Sequence, residues 1–197
     1  MVKVRLTCIR HGETHHNRNG VVQGWIGADL TDLGHQQAHE FADRIINEPD
    51  VIFYSDLSRC QQTAAPIIAK FPKALAVADW RLRERSYGSI EGKSTKDVDW
   101  ESFQSATLHE SPLGAEPVGH VQERIKSFLR DTALLNVSNA IVITHGGVLN
   151  QLSFLFDPEN TDIQYSQYGN AESLDIEYSL DDPRLRPSPI PKWSAHV

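Results

Sequence analysis

The run Arg10-His11-Gly12-Glu13-Thr14, with Asn17 three residues further on, gathers anion donors and a nucleophile into one short stretch. A guanidinium presents a planar fork that matches phosphate oxygens, and an asparagine amide adds another donor. A histidine between them can attack phosphorus through a neutral ring nitrogen and form a covalent phosphoenzyme. The same residues also suit a turn in which Arg10 pairs with Glu13 and His11 closes a strand. A second histidine stands in Thr144-His145-Gly146-Gly147. Both histidines precede glycine, which lets the backbone come close to a ligand.

Such residues need elements to hold them. Val2 to Ile9 alternates Val2, Val4, Leu6 and Cys8 against Lys3, Arg5 and Thr7, the period of a strand. Ala38, Phe41, Ala42, Ile45 and Ile46 recur at helical spacing, with Thr31 as N-cap and Gly34 denying it a complete capping box. Val51 to Tyr54 and Ala74 to Ala78 read as strands. Between them Ser58-Arg59-Cys60-Gln61 has capping-box spacing and opens a helix expected to bend near Pro66. Pro117 suits the first position of a helix with the apolar stripe Val118, Val121, Ile125, Phe128 and Leu129. Ala140 to Thr144 reads as a buried strand, followed by a further helical run. Strands alternating with helices predict an α/β, three-layer sandwich with a mainly parallel central sheet. In such folds ligands bind beyond the carboxyl ends of the strands, where His11 and His145 both fall.

Residues 1–180 are predicted to form one domain, with 93–116 an excursion over the active site. Pro183, Pro187, Pro189 and Pro191 predict an extended, peripheral tail over 181–197. The chain has 197 residues, 19 Lys plus Arg against 26 Asp plus Glu, and nine histidines, for a net charge of −7. That balance argues against nucleic-acid or anionic-membrane partners, which call for a basic face. It leaves room for a local cationic cleft. Cys8 and Cys60 are too few for a disulfide framework and fit a reducing compartment. With no apolar stretch of signal-peptide or membrane-spanning length, a cytoplasmic location is expected. The pair His15-His16 raises the thought of a metal, but no carboxylate or cysteine set completes a site, so no metal and no cofactor are predicted.

Five motifs in order resemble the histidine phosphatase superfamily, with its phosphoglycerate mutase-like fold. They are Arg10 to Thr14 with Asn17; Gln23-Gly24-Trp25 with Leu30-Thr31, Gly34, Gln37 and Ala38; Ser55-Asp56-Leu57-Ser58-Arg59 with Thr63-Ala64; Leu82 to Gly88 with Glu91-Gly92; and Thr144 to Gly147. The resemblance implies that His11 is the nucleophile, that Arg10, Arg59 and His145 surround the phosphoryl group, and that Asn17 and the Gly146 N–H are further donors. Gln23 and Gly24 would cover the phosphate, and Glu84 would protonate the leaving oxygen and then deprotonate water. The plainer alternative for Glu84 is a solvated partner of Arg81 or Arg85. The chain departs from the family at Gly114-Ala115-Glu116-Pro117, where a Gly-Gly-Glu-Ser-like run is usual, and at Cys60, usually alanine and read as packing.

Phosphatases and mutases of this family share the phosphohistidine and differ in its fate. Residues 93–144 leave little chain for a lid that would exclude water, so hydrolysis is favoured. The loop around Glu84 most resembles the fructose-2,6-bisphosphatase-like regulators of glycolysis and apoptosis. Arg85, with Tyr87 beside it and Lys93 nearby, would hold a second anionic group at the pocket mouth. The partner would be a small phosphorylated metabolite, a sugar phosphate or bisphosphate, with broad specificity equally compatible. The alternatives are a cofactor-dependent phosphoglycerate mutase and a non-catalytic phospho-ligand binding protein. Oligomeric state is left open by the sequence.

Overall fold

A computed structural model describes residues 3–104, 108–135, 137–157 and 168–187. Strands β1 (Val4–Arg10), β2 (Val51–Tyr54), β3 (Leu75–Ala78), β4 (Asn139–Thr144) and β5 (Ser173–Tyr178) form one sheet in the order β3-β2-β4-β1-β5. All neighbours are parallel except β1 and β5, which run antiparallel. The helices are α1 (His15–Arg18), α2 (Asp32–Arg44), α3 (Ser58–Lys70), α4 (Trp100–Gln104), α5 (Val118–Leu134) and α6 (Gly146–Phe156).

Alternation along the strands sorts side chains between two layers. Val4, Leu6, Cys8, Val51, Phe53, Ala140 and Val142 pack with Val121, Ile125, Phe128, Leu129, Val148, Leu149 and Leu152 of α5 and α6. Ile9, Ile52, Ile141 and Ile143 face the other way, against Phe41 and Ala42 of α2 and Cys60, Ala64 and Ile67 of α3. The expected three-layer α/β sandwich is therefore what forms. A third cluster joins Val22, Ile90, Phe103 and Ala115, with Tyr87, Val98 and Trp100 packed against it.

Several local expectations change. Thr31 caps α2 through the Gly34 N–H, as its spacing predicts, and its own hydroxyl donates to Glu13 Oε1 at 2.7 Å. Ser58 is the first residue of α3 rather than its cap; Leu57 holds the cap position, without a side-chain bond. Pro117 likewise stands just outside α5, at its N-cap. The described start of the tail, residues 181–187, is less peripheral than its prolines suggest. Pro183–Leu185 form a 3₁₀ turn that buries Leu185 in the main core, and Arg130 Nη1 donates to the Leu185 carbonyl at 2.6 Å. Pro189, Pro191 and His196 lie outside the described residues.

Register explains why two distant histidines meet. Arg10 pairs with Thr144 across the parallel β1–β4 ladder, so the next residue on each strand enters the same space. The His11 N–H donates to the Thr144 carbonyl at 2.9 Å, and the ring centroids of His11 and His145 lie 5.2 Å apart. On the far side of β4, the Ser55 N–H donates to the Ile143 carbonyl at 2.9 Å and leads into α3, whose first turn carries Arg59.

Candidate active site

His11 is buried, and its Nδ1 lies 2.8 Å from the Gly12 carbonyl oxygen. A carbonyl only accepts, so Nδ1 carries the proton and Nε2 keeps its lone pair. Burial, with Arg59 and Arg10 nearby, holds the His11 pKa well below the ordinary histidine value of 6.5. The ring is thus a neutral nucleophile at neutral pH. The backbone beside it is crowded: a Cβ on Gly12 would sit 2.4 Å from the Gly34 carbonyl oxygen, so no side chain fits where this loop crosses the start of α2.

Cations surround this ring without carboxylate partners among the described residues. Arg59, 1% exposed, donates from Nη2 to the Gly24 carbonyl at 2.7 Å, from Nη1 to Ile26 O at 3.1 Å and from Nε to His145 Nδ1 at 3.2 Å. Arg10 Nη1 donates to Tyr168 O at 2.5 Å, while its Nε is buried with no partner among the described residues. Glu13 is not its counterion: that carboxylate pairs with Arg18 at 2.9 Å. The turn alternative for Arg10 is thereby set aside. Two fixed guanidinium groups in a desolvated wall form a preorganised seat for an anion. His145 is fully buried behind Arg59. It accepts at Nδ1, so its Nε2–H is directed to Ser55 Oγ at 2.9 Å, and burial together with Arg59 holds its pKa well below 6.5.

Both buried histidines are neutral in the fold and free to protonate when the chain unfolds. The unfolded state then binds more protons below pH ~6.5, and stability must fall on acidification. Each histidine contributes at most about 1.4 kcal/mol per pH unit in that window, until its folded form also protonates. Thermal melting at pH 7.5 and pH 5.5 checks this: Tm should fall, and His145→Gln should flatten the slope. A Tm unchanged by acidification would contradict it.

A cavity of about 490 Å³ opens on these groups, lined by Arg10, His11, Asn17, Gln23, Gly24, Arg59, Glu84, Tyr87 and Gly146 of the expected set. Asn17 Oδ1 accepts from the Thr14 N–H at 3.2 Å and Asn170 Nδ2 at 3.3 Å, which leaves its amide NH₂ as the free polar end. The Thr14 hydroxyl lies 3.0 Å from Asn17 Oδ1 and 3.1 Å from Gln23 Oε1. Glu84 accepts from the Arg85 N–H at 2.8 Å and the Gly147 N–H at 3.0 Å. It is therefore bonded to backbone, not paired with Arg81, which binds Asp79 and Asp131.

A Cβ on Gly147 would meet Glu84 Oε1 at 2.2 Å. That atom ends a flexible side chain, so Gly147→Ala should shift the carboxylate rather than unfold α6. The expected result is a kcat lowered roughly tenfold to a hundredfold, part of what general acid–base catalysis supplies, with Tm within a few degrees of wild type. Steady-state kinetics on both proteins decides; unchanged kcat would mean that the Glu84 position is not critical.

Arg85 departs from expectation. It does not stand at the cavity mouth: it is 5% exposed, its Nε donates to Glu116 O at 2.7 Å, and its guanidinium lies beside the Tyr87 and Phe103 rings. It lines a recess of about 30 Å³ next to the cavity, shared with Tyr87, Gly147 and Asn150, and both its Nη atoms are buried without partners among the described residues. Lys93 is exposed and lines neither space. Thr95, Trp100 and Asn150 line the cavity without having been singled out from sequence. A signal existed for Asn150, which with Gln151 forms a polar pair between the apolar residues Val148, Leu149 and Leu152. Cys60 packs as expected, fully buried, with its thiol pushed up to about 12 by burial. Among the described residues no group of three His, Cys, Asp or Glu side chains could hold a metal ion.

Residues 6–187 match the model of the histidine phosphatase superfamily (branch 1). The chain belongs to that family. It is 35% identical over 160 residues to the metal-independent phosphoserine phosphatase of Arabidopsis thaliana, covering 75% of this chain and 66% of that one. It is 37% identical over 131 residues to fructose-2,6-bisphosphatase TIGAR of Mus musculus, covering 64% of this chain and 48% of that one. In fold it superimposes with a TM-score of 0.74 on phosphoglycerate mutase from Bacillus anthracis, 22% identical, covering 90% of this chain and 89% of that one. The enzyme class that goes with its phosphatase-named relatives is phosphoric monoester hydrolase.

Proposed function

We propose that this chain is a metal-independent phosphatase that hydrolyses small phosphomonoesters, sugar phosphates or bisphosphates, through a phosphohistidine on His11. One observation carries this: the proton of His11 is fixed on Nδ1, with the Nε2 lone pair beside two arginines that lack carboxylate partners among the described residues. Nε2 attacks phosphorus; the P–N bond forms as the ester P–O bond breaks. Arg10, Arg59, the Asn17 amide and the Gly146 N–H neutralise the equatorial oxygens, which is most of what phosphoryl transfer asks of a protein. Glu84, across the cavity, gives its proton to the leaving oxygen. It then takes one from the water that cleaves the P–N bond, releasing phosphate and restoring neutral His11.

The test is rapid quenching into alkaline detergent with substrate labelled at phosphorus. An alkali-stable, acid-labile label should appear on wild type and persist longer on Glu84→Ala. Its absence from both, or activity abolished by a chelator and restored by zinc, refutes the mechanism.

For the substrate, the two Nη atoms of Arg85, which have no partner among the described residues, favour a second acidic group reaching from the cavity into the adjoining recess. Arg85→Ala should lower the turnover ratio of a sugar bisphosphate to a simple aryl phosphate about tenfold, the worth of one charge-assisted hydrogen bond. An unchanged ratio removes this part of the proposal. Both cysteines are free and buried, which suits the reducing cytoplasm in which we place the enzyme.

A further inference from the structure

We infer that Arg124 and Trp25 are positioning residues for Glu84, clamping the backbone of its loop from opposite sides. The inference rests on the acid/base role proposed above for Glu84. Arg124, on α5, is buried and makes a bidentate pair with Glu116 at 2.9 and 3.0 Å. Its remaining donors go to the Glu84 loop: Nη1 to the Arg81 carbonyl at 2.6 Å and Nη2 to the Glu84 carbonyl at 3.1 Å. A second donor reaches the same Glu84 oxygen from the segment over the cavity, Trp25 Nε1–H at 2.7 Å. The indole is itself held, because the Arg83 guanidinium lies 5.0 Å from its ring centroid and is locked on Asp56 by bonds of 2.7 and 2.6 Å.

The geometry is more specific than stability alone calls for. Both lone pairs of one carbonyl are used, and they belong to the residue whose carboxylate must meet the leaving oxygen. Glu116 has the companion role. Its carboxylate orients Arg124, while its own carbonyl accepts from Arg85 Nε at 2.7 Å, the residue next to Glu84. Here lies an explanation for Glu116 within the run Gly114 to Pro117: it faces Arg124, not the cavity. Small displacements of a catalytic group cost large factors in rate, so fixing the loop at its backbone keeps the Glu84 carboxylate where proton transfer needs it.

Leaving groups separate positioning from general damage. A dinitrophenolate departs without a proton, whereas an alkoxide needs one, so loss of a well-placed acid is felt by alkyl phosphates and hardly by dinitrophenyl phosphate. Trp25→Phe keeps the ring under Arg83 and removes the N–H; Arg124→Lys keeps charge opposite Glu116 and loses the fork. Each should lower kcat/KM, which reports phosphoryl transfer to His11 and departure of the leaving group, roughly tenfold for an alkyl phosphate and less than about twofold for a dinitrophenyl phosphate. Trp25 is partly exposed, so its variant keeps the test available should Arg124→Lys fail to fold. Glu84→Ala is the reference. If it shows the alkyl-selective loss and Trp25→Phe shows none, or loses both substrates equally, the clamp is refuted. If Glu84→Ala itself lacks that selectivity, the acid/base role falls instead, and the clamp with it.

Discussion

Substituting His11 with asparagine is expected to lower kcat by about four orders of magnitude or more, the scale seen when a covalent nucleophile is removed. KM should change by a few-fold only, since Arg10 and Arg59 remain to bind the phosphoryl group. No neighbouring group can take over. His145 sits 5.2 Å away, but its Nδ1 accepts from Arg59 and its Nε2–H points to Ser55, so neither nitrogen offers a free lone pair. The measurement is kcat with a fast-leaving aryl phosphate, where proton donation is least important. Residual activity within a hundredfold of wild type would mean direct attack by water, and the phosphohistidine mechanism would have to be given up.

Replacing Arg59 with methionine should cost about a thousandfold in kcat/KM, the upper end for removing one preorganised donor to a developing oxyanion. Arg59→Lys should regain less than tenfold of that. The reason is geometric: three separate donors of one fork reach Gly24 O, Ile26 O and His145 Nδ1, and a single ammonium cannot satisfy all three. The side chain also fixes the Gly24 strip of the cavity wall and the His145 tautomer. Competition by inorganic phosphate gives a second readout and should weaken in parallel. If lysine restored activity to near wild type, Arg59 would be acting as a point charge, and the tautomer argument for His145 would lose its support.

How far the sequence predicts all this varies element by element. β1 and β4 are legible because their alternation and apolar runs reflect burial on both sheet faces. Their adjacency is not, since pairing of residues far apart along the chain leaves no mark within either strand. Antiparallel β5 went unrecognised although Leu174, Ile176 and Tyr178 alternate with Ser173, Asp175 and Glu177. As an edge strand it turns Glu177 outward to Lys3 at 2.6 Å, and so reads as polar. Thr14 capping α1 was likewise overlooked: it accepts from the Asn17 N–H at 3.0 Å while Asn17 Oδ1 takes the Thr14 N–H. At the site, the resemblance pointed to His11, Arg59 and Glu84, which folding brings to the wall of one cavity. Arg85 was misplaced, because its charge suggested the mouth while the aromatic shell of Tyr87 and Phe103 draws it inward. Asn170 gave no signal, as its role exists only through partners brought by folding.

The Arg10–Thr144 pairing sets a clock on folding. Helices and local turns can form within microseconds, but parallel strands from opposite ends of a chain must first close a long loop. Neither half of the molecule holds both histidines, so a refolding chain has no partial site to display. Return of turnover after dilution from denaturant should therefore lag behind the recovery of helical circular dichroism. Its rate would report the moment at which the first strand finds its place beside the fourth.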